Sequence, residues 1–245
     1  MKKTIFNTLA IAALLVSSAS AATMVGTRLS LVIDVSGSVI GSEYNLQMDG
    51  YGAAFRNAAN QALIVNGGGI AVNYVFFAST ATAASTWTLL NNVASINAFA
   101  TLLEGIARPG SGTVGTATDI ASGMTNSLAS FADATFAANR NVMDVSGDGA
   151  SNDGASPTGP RNTAQAQGIV INGVTIGGGA TLFNYYTNNV ITAGGFVEAA
   201  VGFNDFSEAI NRKLFRELGG EIPEPSTYAM MATGLIGLAY FRRKK

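Results

Sequence analysis

The sequence predicts an α/β domain with a mostly parallel central sheet and helices on both faces. Three observations carry that expectation. Apolar, β-forming runs at residues 27–34, 70–78, 140–146 and 169–176 alternate with segments of helical periodicity. Polar, Gly-rich loops follow the first and third of these runs. The alternation continues from residue 27 to 218 with no second boundary and no internal repeat. In such sheets ligands bind at the C-terminal strand ends, so the polar loops are where function is expected.

Each element follows from its own pattern. Residues 27–34 (TRLSLVID) form a short apolar run that ends in a polar loop, as a buried strand does. Residues 42–62 space Tyr44, Met48, Tyr51 and Phe55 by 4, 3 and 4, a helical stripe facing a core. Gly67, Gly68 and Gly69 break the chain. Residues 70–78 read as a strand, and residues 85–90 as another, at a sheet edge. Trp87 is expected to pack against the sheet. Residues 92–107 and 118–138 read as helices, with a loop over 109–113. Residues 140–146 form a strand that carries an unexplained Asp144, and 147–159 a loop. Residues 160–167 start a helix with Pro160 in its first turn. A strand over 169–176, a short helix over 182–190 and a strand over 195–201 follow. Tyr185 and Tyr186 read as a surface pair. Asp205 and Glu208 fit a capping box, opening a helix with Phe206, Ile210, Leu214 and Leu218 at i+4 steps.

Composition removes whole classes of chemistry. The 245 residues suffice for one well-cored domain or two small ones. Charged residues are 12%, about half the usual share, so small neutral polar groups must cover the surface. There is no His, which excludes a Ser-His-Asp triad and His-ligated zinc. There is no Cys, which excludes thiol catalysis, iron–sulfur clusters and disulfides. The formal charge of −1 hides an uneven distribution. Six of the 14 basic residues lie at the two ends, leaving eight against 15 acidic residues over 22–224, net −7. Phosphate binding needs clustered Lys and Arg, so no nucleic-acid partner is expected.

The ends read as addresses. Residues 1–21 combine Lys2 and Lys3, an apolar stretch and the small-x-small site Ala19-Ser20-Ala21, the layout of a secretory signal peptide. Residues 222–245 contain Pro223-Glu224-Pro225, an apolar run over 228–241 and four terminal basic residues. A helix of 14 residues spans only ~21 Å against a ~30 Å hydrocarbon core. A transient membrane stop that is later cut fits better than a permanent anchor, although a simple single-span anchor is the alternative. This tail resembles the PEP-CTERM sorting signal of Gram-negative bacteria. The resemblance implies an exosortase-type processing enzyme, an inner-membrane intermediate, and release to the cell surface or extracellular matrix. Residues 22–221 are then the exported domain.

Three loops supply oxygen ligands and nothing softer. The first is Asp34-Val35-Ser36-Gly37-Ser38, directly after a strand. The second runs from Gly115 to Thr118 at a helix start. The third is Asp148-Gly149, after another strand. The spacing by two lets one tight loop aim three side chains at a point. Hydroxyls with one or two carboxylates form a weakly charged oxygen cage that suits Mg²⁺, Mn²⁺ or Ca²⁺ rather than zinc. The constellation resembles the metal-ion-dependent adhesion site of von Willebrand factor A-type domains. Asp34, Ser36, Ser38, Thr116 and Asp148 match its positions, with Thr118 as the alternative threonine. The likeness extends over residues 27–218 and is closest to an uncharacterised bacterial branch. It implies a Rossmann-like A-type domain with a divalent-cation site, Mg²⁺ first, and no established activity. The function expected from the site itself is that of an exported module whose cation captures a carboxylate from a protein or matrix partner. A rival metal loop, Asp144-x-Ser146-x-Asp148-Gly149, has Ala155 where a bidentate Glu is needed.

Two other functions compete. A structural matrix or envelope protein would use the metal for stability alone. A metal-assisted hydrolase would need a carboxylate base such as Asp119, Asp144 or Asp153, since His is absent. A Ser-Lys dyad would have only Lys213, distant in sequence from any serine loop. No enzymatic activity is expected.

Overall fold

A twelve-residue strand, β1 (Thr23–Asp34), is the axis of the fold. The computed structural model describes residues 21–220. β1 pairs in parallel with β2 (Ile70–Phe77) on one side and β4 (Phe136–Gly147) on the other. β5 (Ile169–Ile176) and β6 (Val197–Ala200) extend the sheet in parallel beyond β4. β3 (Thr88–Leu90) closes the opposite edge, antiparallel to β2. The order is β3-β2-β1-β4-β5-β6, so the sheet is six-stranded and mostly parallel.

Helices cover both faces, which is why the central strands are buried over long continuous stretches rather than at alternate residues. On one face Leu29, Leu31 and Ile33 pack with α1 (Gly41–Arg56), α3 (Val93–Gly105) and α8 (Phe206–Glu217). The stripe of Tyr44, Met48, Tyr51 and Phe55 is buried there, as its spacing requires. On the other face Val32, Met143 and Val145 pack with α5 (Ile120–Ser130) and α7 (Gly179–Asn189). Three shorter helices, α2 (Ala58–Asn66), α4 (Ser111–Val114) and α6 (Thr158–Ala166), complete the layers.

Several expectations need correction. The helix expected over 42–62 breaks at Asn57, whose extended backbone lets its side chain accept from the Ala59 and Asn60 amides and cap α2. The helix expected over 118–138 stops at Ser130, because residues from Phe136 onward pair with the early part of β1. Part of the loop expected over 109–113 forms the turn α4. The capping box at Asp205 is not made: its backbone is already helical, its side chain caps nothing, and Glu208 pairs with Arg212 instead. Tyr186 is not on the surface but fully buried. The tail at 222–245, its span 228–241 and residues 1–20 of the expected signal peptide lie outside the described residues. Among the described residues no helix is long and apolar enough to cross a membrane.

Candidate metal site

The strand order creates the site. From β1 the chain moves to β2 and β3 on one side, then returns to place β4 on the other. The C-terminal ends of β1 and β4 therefore flank a switch point, where the loops diverge and leave a crevice. The register pairs Ile33 with Ser146. This alignment brings the loop after Asp34 beside the loop carrying Asp148, more than a hundred residues away.

Three of the five expected side chains are linked to one another, and Asp34 joins them through the Ser36 backbone. The Ser36 amide donates to Asp34 Oδ1 at 2.8 Å, folding the loop back on the carboxylate. Ser38 Oγ donates to Asp148 Oδ1 at 2.8 Å. Ser36 Oγ lies 3.1 Å from Ser38 Oγ. Ser38 has spent its one proton on Asp148, so Ser36 is the donor of that pair. Thr116 joins through its backbone: the Gly37 amide donates to its carbonyl at 2.8 Å. A Cβ on Gly37 would lie 3.1 Å from that same oxygen, so glycine permits the close approach. The Thr116 side chain is exposed and hydrogen-bonds to none of the other four. Thr118 is buried, and its Oγ1 would lie 3.9 Å from a Cβ on Gly149. It thus faces the Asp-Gly loop, while Thr116 faces the Ser loop.

The electrostatics are unbalanced. Asp34 is fully buried, and its Oδ2 has no hydrogen-bond partner. Burial pushes its carboxyl up to about 7, against the Ser36 hydrogen bonds that lower it. Asp148 is also raised, first by burial, with its Ser38 bond opposing. Among the described residues there is no cluster of three Asp or Glu side chains, so this site has two carboxylates and otherwise hydroxyls. A buried, unpartnered carboxylate oxygen beside serine hydroxyls and a second carboxylate fits a hard divalent cation, which takes oxygen ligands and would supply the missing charge.

Residues 24–222 match the family model described as a protein of unknown function, DUF1194. The chain belongs to the DUF1194 family. Residues 221–244 match the PEP-CTERM protein-sorting motif. No curated protein matches the sequence. Solved structures show that the DUF1194 domain has a von Willebrand A-type fold. It is similar to proximal thread matrix protein 1 from the mussel byssus at 16% identity and TM-score 0.58, over 82% of this chain and 49% of that one. A form of that mussel protein described as having a zinc-occupied MIDAS motif aligns at 17% identity and TM-score 0.56, over 83% and 50%. The pilus adhesin SpaC from Lactobacillus rhamnosus GG aligns at 13% identity and TM-score 0.59, over 79% and 31%. The DUF1194 chain thus spans about half the length of the mussel protein and under a third of the adhesin.

The DUF1194 site also rests on residues outside the expected ligand set, of which only Asn152 was expected near its rim. Arg108 Nη2 donates to the carbonyls of Val35 and Ser36, each at 2.8 Å, and pins the first loop from below. Ser79 Oγ accepts from the Thr116 and Ala117 amides at 3.2 and 2.9 Å and holds the second. Asn152 ties the second loop to the third: its Oδ1 accepts from the Thr118 amide and its amide donates to the Thr118 carbonyl. Tyr186 reaches the floor of the site. A Cβ on Gly147 would lie 2.6 Å from Tyr186 Oη and 2.8 Å from Asp34 Oδ2. None of the four belongs to a local motif; each acts through residues far along the chain.

Proposed function

We propose that this DUF1194 domain is an exported binding module. Asp34, Ser36, Ser38, Thr116 and Asp148 would hold a divalent cation, Mg²⁺ first with Mn²⁺ or Ca²⁺ as alternatives, and an acidic group of a protein or matrix partner would complete the shell. The observation that carries the reading is the buried, unpartnered Oδ2 of Asp34 at a crevice where three oxygen-bearing loops converge. The cation would supply Lewis acidity toward an incoming carboxylate. The chain's own contribution is low ligand charge: two carboxylates leave the ion electrophilic. Five side-chain donors at most leave a place open in a shell of about six to eight. Thr118, facing the Asp-Gly loop, is the alternative fifth ligand.

The likeness to a pilus adhesin and a thread matrix protein supports adhesion or matrix assembly as the setting. The sorting motif supports processing by an exosortase-type enzyme, transient membrane insertion by the tail, and delivery from a Gram-negative inner membrane to the surface or matrix. A hydrolase is disfavoured by where its candidate bases lie. Asp119 caps α5 through the Ser122 amide, Asp153 accepts from the Gly154 amide, and Asp144 is buried against Lys213.

Calorimetric titration with Mg²⁺, Mn²⁺, Ca²⁺ and Zn²⁺ tests the site; zinc is included because the mussel protein's motif holds it. Saturable binding abolished in Asp34→Ala is expected. Retention on immobilised polyglutamate that EDTA reverses is the partner test. Metal binding without such retention would leave the structural-matrix role as the better reading. No metal binding at all would remove the proposal.

A further inference from the structure

Beneath α8, away from the metal site, lies a charged cluster. Lys213 is completely buried, and its Nζ is 2.6 Å from Asp144 Oδ1 on β4. The same nitrogen is 2.5 Å from Glu217 Oε1, one helical turn on. All three side chains are at most 1% exposed. One cation therefore faces two carboxyls in a dry interior, where an uncompensated charge is very costly. The cluster is neutral only if one carboxyl keeps its proton.

The hydrogen bonds indicate which one. Glu217 Oε1 accepts from Lys213 Nζ and from Asn172 Nδ2 at 2.9 Å, while its Oε2 has no partner. Neither oxygen of Asp144 has a well-angled hydrogen bond, despite the nearby amine. Burial raises the Asp144 carboxyl to about 7, against the Lys213 charge that lowers it. Asn172, the other carbonyl compound in the cluster, is committed at both ends, since its Oδ1 accepts from the Phe196 amide. Tyr51 lies on the same side, but its hydroxyl donates to Ser146 Oγ at 3.0 Å.

We propose that Lys213 and Asp144 become joined by an amide bond between Nζ and the side-chain carboxyl carbon, with Glu217 carrying the protons. The ionised Glu217 takes a proton from the Lys213 ammonium. The freed amine attacks the neutral carboxyl of Asp144 and forms the C–N bond. The C–OH bond breaks, and the hydroxyl leaves as water with a proton relayed by Glu217. Glu217 ends protonated, the cluster stays neutral, and nothing is oxidised or reduced. The fold supplies what the reaction lacks in solution. Held at contact distance, an amine and a carboxyl have an effective concentration on the order of 10⁵–10⁸ M. The apolar surroundings favour the uncharged forms that react.

The product would staple the last helix to a central strand. The sorting motif at 221–244 follows α8 almost directly, so tension from an anchored tail would reach this helix first. The amide would pass that load to β4 and the sheet.

The test is a tryptic digest of the purified, fully denatured chain. Cleavage after Arg140, Arg161, Arg212 and Arg216 yields residues 141–161 and 213–216. The expected result is one branched species, lighter by one water than the two peptides summed and uncut after Lys213. Glu217→Gln, shown folded by circular dichroism, should yield the linear peptides. Separate linear peptides from the native chain would overturn the proposal. A branched species persisting at native yield in Glu217→Gln would overturn the role of Glu217. If that variant fails to fold, the native digest decides alone.

Discussion

Asp34→Asn should change sign with metal. The substitution keeps the shape and leaves Oδ1 able to accept from the Ser36 amide, but removes the charge. In the metal-free protein, burial holds the Asp34 carboxyl at about 7, against 3.8 for the free side chain. Between those values the folded chain keeps a proton that the unfolded chain has lost, so stability falls as pH rises. The loss is complete above about pH 7. At ~1.36 kcal/mol per unit, the buried charge costs about 4 kcal/mol. Asparagine does not titrate and escapes that cost. In EDTA at pH 8, Asp34→Asn should therefore be the more stable protein, by up to ~4 kcal/mol. That corresponds to roughly 8–16 °C in a domain of this size. Near pH 4 the advantage should vanish. With metal at ~100 times its dissociation constant, the native chain should gain ~2.7 kcal/mol and Asp34→Asn little, closing most of the gap at pH 8. Thermal unfolding by circular dichroism at both pH values, with EDTA or Mg²⁺, reads all four states. If Asp34→Asn is destabilised equally in EDTA and in Mg²⁺ at pH 8, Asp34 is an ordinary structural carboxylate and the reasoning fails.

Gly147→Ala should place a methyl 2.6 Å from Tyr186 Oη and 2.8 Å from Asp34 Oδ2, costing about 1–3 kcal/mol and blunting the response to metal. Urea unfolding with and without Mg²⁺ measures both effects. Arg108→Ala removes two hydrogen bonds to backbone carbonyls of the first loop while leaving every ligand side chain in place, and should weaken metal affinity by about 10-fold or more in a calorimetric titration. Tyr51→Phe should cost about 1 kcal/mol by removing the donor to Ser146. Tyr186→Phe should be neutral or slightly stabilising in EDTA, because its buried hydroxyl has no partner to lose. Equal losses for the two phenylalanine variants in denaturant melts would contradict that distinction.

Local pattern was enough for the alternating layout. The β-forming run at residues 169–176 reads as a strand covered on both faces, and the Tyr44-to-Phe55 stripe as a helix on a core, and both are so placed. The Asp-x-Ser-x-Ser loop was legible for the same reason, since its geometry is set within five residues. Composition alone excluded His and Cys chemistry. What only the tertiary structure decided is which distant residues become neighbours. β4 lies against β1 because strands pair through backbone hydrogen bonds, which carry no side-chain signature. That pairing joins Ser38 to Asp148 and starts β4 at Phe136, inside a segment whose own pattern reads as helix. Burial of charge is likewise a property of the assembled interior. Asp144 stands out in sequence only as an unexplained polar residue, and it becomes the buried partner of Lys213 only where α8 closes over the sheet. Tyr186, paired in sequence with Tyr185, is turned inward because Gly173 and Gly147 leave room for its ring and hydroxyl.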